Sequence, residues 1–155
     1  MTSYSNYQNL FRQIIMDHYQ NPRNKGLKEG EGYVTVHLKN PSCGDDITIQ
    51  VKLAADGEHL EEVRQAGDGC SICCSSASMM TELLTAKTVT EAENLIDQFK
   101  FMVTAEAYDE DVLGEAIALQ GVARLQPRVK CATLGWLAAE EAIYEAVSGN
   151  RKESD

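Results

Sequence analysis

Basic residues are scarce in this chain of 155: 14 Lys and Arg stand against 24 Asp and Glu, a formal charge of −10. Neutralising phosphates takes clustered Lys and Arg, so this balance argues against nucleic-acid binding. Long apolar runs are missing too, and none approaches the roughly 18 residues that a membrane span requires. The opening MTSYSNYQNLFRQ carries polar residues where a secretory leader would carry its apolar stretch. The expectation is a cytoplasmic protein with no membrane partner, in a compartment where thiols stay reduced. Its five cysteines are an odd number and cannot all enter disulfides, which points them toward metal or sulfur chemistry. The chain has no internal repeat, P-loop, G-x-G-x-x-G, G-x-S-x-G or H-E-x-x-H pattern. The surplus of acid suits solubility, or a partner with a basic docking surface.

What is present reads as one domain over residues 1–155, 43% hydrophobic. From Tyr7 to Tyr19, Leu10, Phe11, Ile14, Ile15 and His18 recur at helical spacing. The polar loop Asn21-Pro22-Arg23-Asn24-Lys25-Gly26 ends that helix. Two segments then alternate with period two: Val34, Val36 and Leu38, followed by Ile47, Ile49, Val51 and Leu53. A weaker strand is expected from Leu60 to Ala66. Three short-linked strands make an antiparallel meander with one buried face. Helices follow: one begins near Ser71, and a second is announced by a Thr88–Glu91 capping box. AEAYDEDVLGE forms an exposed connection or a short helix, and a last helix with Pro127 in its first turn is expected to end near Gly149. The fold class is therefore α+β, a three-stranded antiparallel sheet packed by five to six helices.

Three cysteines fall where elements meet. Cys43 lies between the first two strands, Cys70 between the third strand and its helix, and Cys131 near the start of the last helix. In a meander all three junctions can lie at one end of the sheet. A helix N-terminus favours thiolate, an advantage expected for both Cys70 and Cys131. Gly44 permits a sharp turn that aims Cys43 and Asp45 at one point, with Asp46 facing away. Cys43, Asp45, Cys70 and Cys131 together suit a tetrahedral zinc ion, and the carboxylate is the arm expected to open. The bland reading of any single cysteine is a small buried hydrophobe. That reading is kept for Cys73 and Cys74, inside the small-residue run CSICCSSASMM. Cys70-x-x-Cys73 imitates a redox pair but lacks the usual βαβ setting. His18 is expected to be packed and satisfied, His37 to lie mid-strand and His59 in a turn.

NPSCGDDI, GDGCSI with SSASMM, LQGVARLQPRVKCATLGW and the opening IIMDHYQNPRNKG together resemble the SufU branch of the IscU/NifU N-terminal family of iron–sulfur cluster assembly proteins. The resemblance covers nearly the whole chain. It implies a SufE/NifU-like fold and a metal site at Cys43, Asp45, Cys70 and Cys131. It further implies a zinc-dependent sulfur carrier, in which Cys43 accepts persulfide sulfur from a pyridoxal-phosphate cysteine desulfurase (SufS-like). The sulfur would then pass to a cluster-building complex (SufBCD-like). The alternative within the family is a scaffold for a [2Fe–2S] cluster or iron on the same four residues. Lys130 stands where IscU scaffolds carry a histidine, and 105–120 looks like the insertion of the SufU branch; both features favour that branch, and the missing histidine favours zinc. Cys73 and Cys74 depart from the family pattern. Arg128 is expected to be a solvated surface residue, with a role at the site as the alternative.

Overall fold

In the computed structural model, residues 2–154 are described, with side chains described for 7–149. Helix α1 (Thr2–Gln20) leads into strands β1 (Tyr33–Asn40), β2 (Asp45–Leu53) and β3 (Leu60–Asp68). Helices α2 (Ser71–Leu84) and α3 (Val89–Val103) follow. Two 3₁₀ segments, Glu110–Val112 and Gly114–Arg124, precede α4 (Gln126–Ser154). The strands form an antiparallel meander in the order β1-β2-β3, as their alternation predicted.

Period two decides which side chains face the core. On β2, Ile47, Ile49 and Val51 are fully buried, and Asp45 is in phase with them. On β1, Asn40 shares the phase of Val36 and is likewise buried. Asp46 and His37 take the opposite phase and pair with each other at 2.5 Å on the outer face. The core-facing side thus ends, at one edge of the sheet, in two buried polar residues.

Helices α2 and α4 cover that side. Helix α2 is rich in small residues and almost wholly buried, so its hydroxyls need partners. Ser76 Oγ donates to Ala132 O at 2.6 Å and accepts from Trp136 Nε1 at 2.8 Å. Gly135 of α4 faces Ala77, where an added Cβ would meet that side chain at 3.3 Å. Trp136 stacks on Phe99 of α3 with centroids 4.0 Å apart. The capping box at α3 is present, each partner of the Thr88–Glu91 pair bonding the other's backbone. His18 is buried, with Nδ1 at 2.8 Å from Ser78 Oγ and Nε2 at 2.9 Å from Glu115 Oε1, which ties α1 to α2 and the second 3₁₀ segment.

Two expectations are corrected. Leu10 is 48% exposed rather than packed, and Phe11 and Ile15 are only half-buried along a groove of about 1040 Å³ between α1 and residues 117–125. Helix α4 also runs past Gly149 to Ser154. A single helical glycine costs about 1 kcal/mol and does not oblige a helix to stop. No helix among the described residues is long and apolar enough to cross a membrane.

Candidate metal centre

The edge of the sheet that ends in Asn40 and Asp45 also receives the exit of β3 and the N-termini of α2 and α4. The Pro41–Gly44 turn closes on Asn40, whose carbonyl accepts from Cys43 N at 3.2 Å and Gly44 N at 3.0 Å. Gly44 has φ 72°, a left-handed conformation that glycine adopts without strain. Cys43 therefore stands at the tip of a tight turn, half-buried. Its sulfur lies 2.9 Å from Cys131 Sγ. Cys43, Asp45 and Cys131 present ligand atoms within 4.8 Å of one another. These three meet, as their spacing predicted.

Cys70 stands beside them at the start of α2, its sulfur outside the set whose ligand atoms all lie within 4.8 Å of one another. It is the N-cap, with φ −69° and ψ 166°, and its sulfur accepts from Cys73 N at 3.4 Å. Its own N–H donates to Asp45 Oδ1 at 3.0 Å. That contact depends on Gly69: a Cβ there would stand 2.6 Å from Asp45 Oδ1 and 3.3 Å from Asp45 Cα. Asp45 is thus buried and pinned by an amide, which corrects the expectation of a swinging carboxylate arm. Cys43, by contrast, stands on the turn between β1 and β2.

The charges explain what this arrangement lacks by itself. Cys131 lies in the second turn of α4, not at its tip, so the expected help from the helix N-terminus is overridden. Burial pushes its thiol up, and the neighbouring Cys43, Asp45 and Cys70 push it further. Without a cation such thiols stay protonated; a cation among them would let them ionise together. Asp45 Oδ2 is buried with no hydrogen-bond partner, as expected of an oxygen shaped to meet a positive ion. The donor set, three thiols and a carboxylate, fits zinc.

Other residues sort clearly. Cys73 is fully buried in the core, and burial, with Asp45 nearby, pushes its thiol far up. Cys74 is half-buried, its thiol donating to Gly69 O at 3.5 Å and pushed up by burial. Neither joins the cluster, as expected. His59 pairs with Asp56 at 2.6 Å in the β2–β3 turn, so all three histidines are engaged away from the thiols. Arg128 is exposed, as expected of a solvated side chain, and the Cys131 thiol pushes its pKa up. Two residues that serve the site went unremarked in the sequence. One is Gly69. The other is Asn40, whose amide lies 4.0 Å from Cys131 Sγ, and whose phase with Val36 was the available signal.

Comparison with known proteins agrees with this geometry. The chain is 42% identical over 151 residues to "Zinc-dependent sulfurtransferase SufU" of Bacillus subtilis, covering 97% of this chain and 100% of that one. It is 39% identical over 145 residues to "Iron-sulfur cluster assembly scaffold protein IscU" of Streptococcus pyogenes, covering 93% and 89%. A NifU-like N-terminal protein from Brucella abortus superposes with TM-score 0.76 at 18% identity over 88% of this chain and 93% of that one, a likeness of fold alone. Residues 10–132 match the NifU-like N terminal domain, and the chain belongs to that family.

Proposed function

We propose that this chain is a cytoplasmic iron–sulfur cluster assembly protein working as a zinc-dependent sulfur carrier, with Cys43 as the accepting thiol. The single observation that carries this reading is an asymmetry. Cys131 and Asp45 are buried, Cys70 beside them is fixed as a helix cap, and Cys43 alone of these four stands on a turn. Cys43, Asp45, Cys70 and Cys131 would hold zinc. Bound there, the ion keeps thiols ionised at neutral pH.

The donor is the persulfide of a pyridoxal-phosphate cysteine desulfurase of the SufS type. Cys43 thiolate attacks the terminal sulfur of that persulfide. A new S–S bond forms at Cys43, the old one breaks, and the desulfurase cysteine leaves as thiolate, so the exchange needs no oxidant. Cys70, Cys131 and Asp45 stay in place while the Cys43 turn moves. Gly44, open on all sides where a Cβ would stand, permits that movement. The persulfide on Cys43 then goes to a cluster-building complex of the SufBCD type.

A second reading is a scaffold for a [2Fe–2S] cluster on the same residues, favoured by the scaffold name of the Streptococcus relative. The exposed Lys130 ahead of Cys131 offers no ligand of the histidine kind, which favours zinc. Mixing the zinc-loaded protein with a cysteine desulfurase and measuring alanine release separates the two. A large stimulation that vanishes in Cys43→Ala is the expected result. No stimulation, with a coloured cluster formed from iron and sulfide, would establish the scaffold instead.

A further inference from the structure

Asn40 touches the Cys43 turn, the Asp45 strand and the Cys131 helix. Its carbonyl accepts both N–H groups of the Cys43 turn. It is the register partner of Asp45 across the first ladder. Its side-chain Nδ2 points at Cys131 Sγ, 4.0 Å away. The residue is 7% exposed, in phase with the core, where an amide without a purpose costs stability.

We propose that Asn40 is a positioning residue that decides which sulfur leaves the metal. This rests on the reading of the cluster as a zinc site. An N–H directed at a thiolate withdraws charge from it, steadies it as a ligand and makes it a weaker attacker. Among the described residues the N–H donors around the cluster are unevenly shared. Cys70 Sγ has the Cys73 amide. Cys131 Sγ has Asn40. Cys43 Sγ instead faces the Pro127 carbonyl at 3.9 Å, an acceptor that offers a thiolate nothing. The sulfur without amide support is the one on the turn. Asn40 thus holds Cys131 on the metal with its side chain and shapes the Cys43 turn with its carbonyl, which leaves Cys43 as the labile position.

The test uses the full-length protein loaded with zinc, without any desulfurase. Iodoacetamide is added, and modification of each cysteine is followed by mass spectrometry, alongside zinc competition with a chelator. In the native protein Cys43 reacts first and Cys131 stays protected. Asn40→Ala is expected to weaken zinc by about 10–100-fold and to bring Cys131 reactivity up toward that of Cys43. Cys73, buried nearby and outside the cluster, is the internal control. A general loosening of the fold would expose Cys73 together with Cys131, and that outcome would overturn the proposal. Asn40→Asp keeps the shape and removes the donor, so it carries the test should the alanine variant fold poorly. Unchanged zinc affinity and unchanged Cys131 protection in both variants would refute the role of Asn40 while leaving the zinc site standing. Failure of the native protein to hold zinc would sink the reading of the site and this proposal with it.

Discussion

Gly69→Ala is the most searching single perturbation of the cluster, because it replaces none of the four proposed ligands. The backbone of Gly69 is not in the left-handed region, so alanine is tolerated conformationally. Its lower unfolded-state entropy would stabilise the protein by about 0.4–1 kcal/mol. Against that, the new Cβ would stand 2.6 Å from Asp45 Oδ1 and 3.2 Å from its Cγ. The carboxyl group must turn away, which breaks its bond with Cys70 N–H. Stranding a buried donor or acceptor in this way costs about 1–3 kcal/mol. The difference is a net loss of about 1–2 kcal/mol, a fall in Tm of roughly 2–8 °C for a chain of this size. Zinc affinity should fall as well, by about 10–100-fold, since the pinned oxygen orients the one aimed at the ion. Thermal unfolding of the metal-free protein and chelator competition measure the two effects separately. A variant that melts and binds zinc like the native protein would refute the claim that the Gly69–Cys70 backbone fixes Asp45.

Further expectations follow from other contacts. His18→Ala removes both bonds that tie α1 to Ser78 and Glu115; chemical denaturation should register a loss of about 1–3 kcal/mol, with zinc affinity unchanged. Asp56 is held down to about 2 by the backbone N–H groups of His59 and Glu58 and by the His59 side chain. A carboxylate depressed on folding adds stability above its unfolded pKa, and that stability is lost as pH falls toward the folded value. The acid-side slope of Tm should therefore flatten in Asp56→Asn between about pH 4 and pH 2. Cys73→Ala should leave zinc content and desulfurase stimulation intact, whereas Cys43→Ala should abolish the stimulation; equal loss in both would remove the distinction between site and core cysteines.

The elements and the meeting of Cys43, Asp45 and Cys131 were legible because they rest on local rules. The Gly44 turn aimed Asp45, and not Asp46, to the side of Cys43, and the glycine-flanked junctions placed Cys43 and Cys70 at one end of the sheet. What escaped depends on tertiary approach. The pinning of Asp45 by Cys70 N–H joins residues 25 apart in the chain, and nothing in Cys-Gly-Asp announces it. The same holds for Asn40, which reads as a strand end until α4 arrives beside it. Cys131 illustrates a competition between effects: a place near a helix start argues for an easily ionised thiol, yet burial wins. Leu10 follows the helical stripe faithfully but has no element above it, since period reports a face and not its cover.

The central claim is that Cys43, Asp45, Cys70 and Cys131 surround one zinc ion. X-ray absorption at the zinc edge of the purified protein tests it most directly. Three sulfur neighbours and one oxygen, with one sulfur lost in Cys43→Ala, is the predicted result. A shell of nitrogen and oxygen alone, or one unchanged by Cys43→Ala, would contradict it.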